Sequence, residues 1–366
     1  MSSAAGEAYV NTRVSIMATR LLAPGQLESL ARLDLAELAE QLALGDLLDG
    51  QRDGRLDRRA QGDTRAKSRA VEQALIATLL AELRILVRPM RPVERALVRA
   101  WGRKYALFNL KALLRGRLYD LDQSDIENHL YDLPPELGLG EPSLLRAETV
   151  LELLRALEGS PYALIARQAR EIYEQRHEPS ALEAAIDQLY YERLARQVLQ
   201  FHDEDLRPLQ VLVGALLDRV GLLWLLRSRF VFGLSPSETF FRLVPSFRVM
   251  QRERLIALVD LESRERVLEA LPEPFAALLA DSRDLVDIQR RLAAHFIDET
   301  RRVLRLSRSG VARTLAYLML RELDLMRLFA LIQGRLLGLP EDLIGQAAEL
   351  AEPDEREPLR HMEAAP

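Results

Sequence analysis

The residues whose type and spacing could do chemistry in this sequence are arginines at the ends of three apolar segments. Arg115 and Arg117, Arg227 and Arg229, and Arg335 each follow a leucine-rich run. A guanidinium binds a carboxylate through two parallel hydrogen bonds, so these five arginines are candidates for contact with an acidic partner. A cation near the end of a helix also stabilises the last carbonyls of that helix. The sequence favours the structural role at the helix end for these arginines, and contact with an acidic partner is the alternative.

Residue patterns of catalysis are missing from the rest of the chain. The histidines are scattered, without the second histidine three or four residues away that metal sites on helices use. They are His129, His177, His202, His295 and His361. The sequence has neither a glycine-rich phosphate loop nor a GxSxG nucleophile turn. Acidic runs such as Asp203-Glu204-Asp205 and Glu341-Asp342 are typical of helix starts. We expect no catalytic residue, metal, cofactor or small-molecule substrate.

Composition predicts an all-α protein with almost no strand. Leucine dominates the apolar residues, aromatic residues make up 6%, and cysteine is absent, which excludes disulfides and iron–sulfur clusters. A formal net charge of −5 gives no field that would attract nucleic acid. The longest apolar stretch, Leu209 to Leu226, contains Asp218 and Arg219, so we expect a buried helix there rather than a membrane span.

The arginine segments belong to an internal repeat. The segments NLKALLRGRLYDL from Asn109, GLLWLLRSRFVFGL from Gly221 and LMRLFALIQGRLLGL from Leu325 align with offsets of 112 and 106 residues. A second repeated segment, which we call the echo segment, lies earlier in each unit. The three echo segments are LAELAEQLALGDLLDG from Leu35, LELLRALEGSPYALIA from Leu151 and RVLEALPEPFAALLAD from Arg266. Each echo predicts a helix, a turn and a second short helix. Three like helical units suggest a scaffold rather than an enzyme.

Proline, glycine and charge set the predicted boundaries. Unit 1 covers 9–133, unit 2 covers 144–244 and unit 3 covers 247–350, with breaks at YDLPPELGLGEPS and at Val244-Pro245-Ser246. Within unit 1, apolar spacing from Val71 predicts an amphipathic helix that ends before Pro89. The remaining segments are predicted to lack packed structure: the start 1–8, the charged insertion 46–70 and the tail 351–366.

Four segments together resemble a known family. They are YVNTRVSIMATRLL from Tyr9, ALFNLKALLRGRLYDL from Ala106, ALEGSPYALI from Ala156 and LDLMRLFALIQGRLLGLPEDLI from Leu323. They are similar to the C subunit, called the d subunit in eukaryotic enzymes, of the V-type and A-type rotary ATPases. The chain departs from that family at Ala106, where an acid is frequent, and in its last long helix, which has Arg321-Glu322 and Leu328-Phe329 in place of a lysine–glutamate pair and an asparagine.

The resemblance implies three similar helical domains arranged as a funnel with pseudo-threefold symmetry. It implies a non-catalytic rotor subunit of the central stalk, without a cofactor, whose partners are the central axle subunits and the membrane proteolipid ring. Such a protein lies peripherally at the cytoplasmic face of the membrane and couples ATP turnover to proton or sodium transport. The alternative is a cytosolic helical-repeat adaptor that binds other proteins.

Overall fold

A computed structural model describes residues 3–23, 25–42, 64–140, 142–176 and 179–351. Every regular element within these ranges is a helix, and they contain no strand. The prediction of an all-α fold is therefore confirmed. The leucine-rich composition accounts for it, because straight-chain residues lose little side-chain freedom in a helix.

The helices follow one another along the chain. The first nine are α1 Ser3–Met17, α2 Gln26–Ala31, α3 Leu35–Gln41, α4 Thr64–Val87, α5 Pro92–Gly102, α6 Lys104–Leu118, α7 Gln123–His129, α8 Val150–Ala156 and α9 Ala163–Arg176. The next are α10 Pro179–Val198, α11 Asp203–Phe230, α12 Pro236–Arg242, α13 Arg252–Val259, α14 Arg264–Glu269, α15 Phe275–Leu279, α16 Leu285–Leu306, α17 Gly310–Leu336 and α18 Glu341–Leu350. Short 3₁₀ helices occur at Ala18–Arg20, Pro142–Arg146 and Leu157–Gly159.

Internal contacts divide the chain into two compact units. The larger unit comprises Met1–Asn11 and Leu83–Leu315, and the smaller unit comprises Thr12–Glu82 and Ala316–Pro366. The helices α1, α4 and α17 have residues in both units. The three repeats are a different division, based on likeness of sequence. Their bounds and the funnel arrangement therefore stay predictions.

The larger unit is built on two long helices, α10 and α11. Helix α10 packs against α5, α6, α9 and α11, while α11 packs against α16. The hydroxyl of Tyr190 in α10 donates to the carbonyl of Trp101 in α5 at 3.0 Å. In α16, Ile288, Leu292 and Phe296 are buried at a spacing of four, so one face of that helix lies in the core.

Helix α11 is long and apolar enough to cross a membrane by length and composition alone. In the sequence, Asp218 and Arg219 argue against such a span. Of its most apolar window, 83% is buried inside the protein, and Asp218 is itself 1% exposed. The helix is therefore mostly buried in the protein, as the sequence predicts.

The smaller unit brings a helix from the beginning of the chain and the last helix together. Helix α2 packs against α18. The backbone N–H of Leu22 donates to Asp324 in α17 at 2.8 Å. Glu82, at the end of this unit's part of α4, accepts from the Tyr317 hydroxyl at 2.6 Å. These bonds connect residues 302 and 235 positions apart in sequence, so long-range contacts hold this unit together.

Several local predictions can be compared with the described residues. Residues 3–8, expected to be unstructured, belong to α1, since the alanine-rich segment SAAGEA favours helix. The helix predicted from Val71 is α4, which ends at Val87. Residues 64–70 of the insertion are also in α4, whereas 46–63 of the insertion and 352–366 of the tail lie outside the described residues.

The three repeated helices α6, α11 and α17 end in the same kind of turn. A residue with positive φ follows each helix: Asp120 at 51°, Gly233 at 66° and Gly338 at 66°. The leucine that comes next donates its N–H back into the last turn. These bonds run from Leu121 to Gly116 at 2.9 Å, from Leu234 to Ser228 at 2.9 Å and from Leu339 to Gly334 at 3.0 Å. This is the Schellman arrangement. In the turn after α11, one additional residue lies between the donor and the acceptor.

The small residue before the repeated arginine makes room for the helix that follows. A Cβ added at Gly116 would lie 2.4 Å from Cδ1 of Ile126 in α7. A Cβ added at Gly334 would lie 2.7 Å from Cγ1 of Ile344 in α18. Because both isoleucines are buried, the sequence needs glycine at these positions for the short helix to pack closely.

We predict that Gly334→Ala destabilises the protein by about 1–3 kcal/mol, because the added methyl group overpacks the contact with Ile344. Chemical denaturation measures the change in the free energy of unfolding. Gly345→Ala is the matched control, since Gly345 is also helical and has no neighbouring atom within 4 Å of an added Cβ. The control should be neutral or more stable by up to about 1 kcal/mol. Equal destabilisation by both substitutions would contradict the packing account.

Candidate partner interface

The last arginine of each repeat donates to a backbone carbonyl of a short helical element. Nη2 of Arg117 lies 2.6 Å from the carbonyl of Leu145, in the 3₁₀ helix Pro142–Arg146. Nε of Arg229 lies 2.9 Å from the carbonyl of Val259, the last residue of α13. Nη2 of Arg335 lies 2.6 Å from the carbonyl of Ala31, the last residue of α2. We call these three contacts the arginine clasps.

The clasps revise the helix-end interpretation of these arginines. The sequence suggests that each cation binds the last carbonyls of its own helix. The acceptors Leu145, Val259 and Ala31 instead belong to short helical elements elsewhere in the chain. These elements directly precede α8, α14 and α3, which are the first helices of the three echo segments. Carbonyls at a helix end lack a partner within the helix and carry partial negative charge, so a guanidinium binds them well.

The first arginine of each pair is also bound within the protein. Arg115 makes a bidentate ion pair with Glu183 of α10, with 2.5 Å between Nε and Oε1. Arg115 is buried, and the pair lies almost wholly inside the larger unit. Nη2 of Arg227 donates to Oε1 of Gln289 in α16 at 3.2 Å. The third repeat has Gln333 at this position. All five candidate arginines thus bind other residues of the protein, and their contact with a partner stays a prediction.

Two buried aspartates in the repeated helices were missed as a pair in the sequence. Asp218 and Asp324 are separated by 106 residues, the same offset as Arg229 and Arg335. They are 1% and 5% exposed, respectively. The equivalent position in the first repeat is the fully buried Ala106, where the sequence already departs from the resembled family. The common offset is the signal that could have identified them.

Both aspartates bind the backbone of a segment that leads into a short helix. Oδ1 of Asp218 accepts from the N–H groups of Met250 at 2.7 Å and Val249 at 3.0 Å, and from the hydroxyl of Ser246. Oδ2 of Asp324 accepts from the N–H of Leu22 at 2.8 Å. Burial raises the pKa of Asp218, and the three hydrogen bonds oppose that shift. These carboxylates fix the segments before α13 and α2, the helices whose ends the clasps bind.

Glu82 is the centre of a buried polar cluster in the smaller unit. Its carboxylate lies 2.8 Å from Nη1 of Arg20, 2.6 Å from the hydroxyl of Tyr317 and 3.5 Å from Nε of Arg321. Burial and the bond to Glu82 raise the pKa of Tyr317, which therefore stays protonated and donates. Arg321, one of the positions that depart from the resembled family, thus has a structural partner.

The described residues contain no group of three or more histidine, aspartate or glutamate side chains that could hold a metal ion. Two acidic residues at helix starts have a charged partner. Asp205 pairs with Arg91 at 2.8 Å, and Glu341 pairs with Arg335 at 3.3 Å. His202 is the residue before α11, with no side-chain bond to cap that helix.

The position two residues after each clasp arginine exposes an apolar side chain. Tyr119 is 48% exposed, Val231 is 62% exposed and Leu337 is 58% exposed. We call these three residues the apolar tips. A single exposed apolar side chain is ordinary, but the same exposure at an equivalent position of every repeat indicates a feature of the repeat itself.

Comparison with known proteins gives one family and several relatives. The profile of the ATP synthase (C/AC39) subunit family matches residues 10–347. The C subunit of the A-type ATP synthase from Methanosphaera stadtmanae is 30% identical over 146 residues, covering 40% of this chain and 37% of the relative. The C subunit of the A-type ATP synthase from Methanocaldococcus jannaschii is 24% identical over 259 residues, covering 68% of this chain and 64% of the relative. The C subunit from Desulfurococcus sp. (strain SY) is 25% identical over 254 residues, covering 66% of this chain and 65% of the relative. The chain thus matches between about a third and two thirds of the length of these curated relatives.

We predict that Asp218→Ala lowers the free energy of unfolding by about 3 kcal/mol, since three donors lose their acceptor in a buried site. Asp218→Asn keeps an acceptor oxygen and should cost less. Asp260→Ala, at an exposed position after α13, is the control and should change stability by no more than about 0.5 kcal/mol. Denaturant unfolding of the three variants checks the order. An Asp218→Ala protein as stable as the control would show that the carboxylate does not hold the segment before α13.

Proposed function

The chain belongs to the ATP synthase (C/AC39) subunit family, and we propose on that premise that it is a non-catalytic subunit of the central stalk of a V/A-type rotary ATPase. In this role it joins the central axle to the membrane proteolipid ring, so that rotation links ATP turnover to proton or sodium transport. It lies peripherally on the cytoplasmic side of the membrane. ATP chemistry takes place in other subunits of the complex.

The observation that carries the proposal is the repeated helix end. In each copy the helix stops in the same turn, its arginine binds the end of another helix, and the next exposed residue is apolar. The repeated arginines make internal bonds, and the side chain exposed two residues later is one without acid–base or nucleophilic reactivity in Val231 and Leu337. This is the distribution expected of a mechanical connector.

A rotor connector must transmit torque without local unfolding. The buried ion pair of Arg115 with Glu183 and the buried bonds of Asp218 and Asp324 oppose the separation of helices within each unit. Breaking such a buried interaction by loss of one partner costs about 3–5 kcal/mol, so the helices resist being pulled apart. The structure thereby supports a stiff coupling element.

Purification of the tagged protein from its native membrane tests the assignment. We expect the axle subunits and the proteolipid ring to copurify with it, and we expect deletion of the gene to abolish ATP-driven ion pumping. The isolated chain should hydrolyse no ATP. Recovery of the protein from the cytosol with soluble proteins alone, and with no ring or axle subunit, would favour the adaptor and contradict the stalk assignment.

We predict that serine substitution of all three apolar tips, Tyr119, Val231 and Leu337, weakens recovery of the ring or axle subunits at least about tenfold. Each tip would bury an apolar side chain in the complex, and loss of about 1.4 kcal/mol gives a factor of ten. Serine substitution at three other exposed apolar positions, Leu164, Ile256 and Val286, is the matched control. Thermal unfolding confirms that both triple variants fold. Equal recovery with both variants would exclude the tips as contact residues.

A further inference from the structure

An arginine-lined cavity of about 230 Å³ lies in the larger unit, at the junction of α4 and α5. It is lined by Arg84, Val87, Arg88, Arg95, Arg99 and Glu136. Four of the six lining side chains are guanidiniums, and one carboxylate faces them. We call this the basic cavity. It is separate from the arginine clasps and from the apolar tips.

Only one of the four guanidiniums in the basic cavity has a charged partner among the described residues. Nε of Arg84 lies 2.7 Å from Oε1 of Glu136. A hydrogen bond to its own backbone amide, together with Arg84 and Arg99, lowers the pKa of Glu136, so this carboxylate is ionised at neutral pH. Glu136 therefore offsets one of the four positive charges.

The other three guanidiniums keep their charge uncompensated. Arg95 donates to the carbonyls of Val87, Arg88 and Met90 at 3.2, 3.3 and 2.9 Å, bonds that hold the end of α4 but supply no negative ion. Nε of Arg99 is buried without a hydrogen-bond partner. The side chain of Arg88 is exposed at the cavity and makes no ion pair with a described residue. An anion bound among these guanidiniums would offset their positive charge.

We propose that the basic cavity binds a phosphate group. A phosphate dianion offsets two of the three uncompensated charges, whereas a carboxylate offsets one. Guanidinium N–H groups match phosphate oxygens in geometry, and charge-assisted bonds of this kind are about twice as strong as neutral ones. The volume of about 230 Å³ accommodates one phosphate or a diphosphate. Arg99, whose buried Nε has no hydrogen-bond partner, is one of the residues that line the cavity.

The phosphate could belong to a soluble molecule or to a lipid headgroup, and the two sources are distinguished by experiment. Titration calorimetry of the full chain at low salt uses inorganic pyrophosphate as the soluble probe. Vesicle flotation uses phosphatidylcholine with and without phosphatidic acid. If the lipid is the source, phosphatidic acid vesicles bind and pyrophosphate displaces them. If the source is soluble, pyrophosphate binds and the vesicles do not.

Two variants of opposite effect test the site itself. Arg88→Ala should weaken pyrophosphate binding at least about tenfold, because one charge-assisted contact is lost. Glu136→Gln should tighten it severalfold, because the competing carboxylate becomes neutral and Arg84 is released to the ligand. Arg155→Ala, which removes an exposed arginine of α8 outside the cavity, is the control and should leave affinity unchanged. Circular dichroism confirms that each variant is folded.

The proposal is overturned if the wild-type chain binds neither pyrophosphate at millimolar concentration nor phosphatidic acid vesicles. It is also overturned if Arg88→Ala and Arg155→Ala bind pyrophosphate alike. If the vesicles bind and Arg88→Ala does not weaken that binding, the proposal is overturned as well, since that pattern indicates general attraction to a negative surface. All of these measurements use the isolated chain, so their outcome does not depend on whether the protein is a stalk subunit.

Discussion

The rest of the structure depends on the contact between an arginine at the end of one repeated helix and the carbonyl end of a short helix elsewhere in the chain. A helix end leaves carbonyls without an internal partner, and a guanidinium satisfies them while it offsets the partial negative charge of the helix. Arg117 and Arg229 reach forward to Leu145 and Val259. Arg335 reaches back to Ala31, over 304 residues of sequence. The third clasp therefore joins the last long helix to the beginning of the chain.

This closure explains why sequence and contacts divide the chain differently. A repeat followed along the sequence begins with its short helices and ends with its arginine helix. In the larger unit, the first two arginine helices, α6 and α11, lie with the short helices that follow them. In the smaller unit, the last arginine helix, α17, is bonded to α2, one of the first short helices. Asp218 and Asp324 reinforce the same pairing, because they bind the segments before α13 and α2. The third clasp and Asp324 thus join α2 and the segment before it to the last long helix within the smaller unit.

The sequence predicts what depends on local periodicity. The all-α fold, the first helix of each echo segment and the helix that ends before Pro89 follow from leucine spacing and from proline. The partners of the repeated arginines could not be predicted, because a backbone carbonyl acceptor has no side-chain signature and Ala31 is remote from Arg335. In the sequence Asp218 is only an interruption of an apolar run, and its role depends on the donors at Met250 and Val249. The polar cluster at Glu82 could not be predicted either, because its partners Arg20 and Tyr317 are far from Glu82 in the sequence.

Hydrogen exchange of the Arg335→Met variant tests the central claim most directly. If the clasp holds the end of α2, the amide protons of Gln26–Ala31 should exchange at least about tenfold faster than in the wild type, since each tenfold change corresponds to about 1.4 kcal/mol of local stability. The amides of α10 in the larger unit should keep their wild-type rates. Unchanged exchange in α2, or a uniform increase over both units, would contradict the role of the arginine clasp.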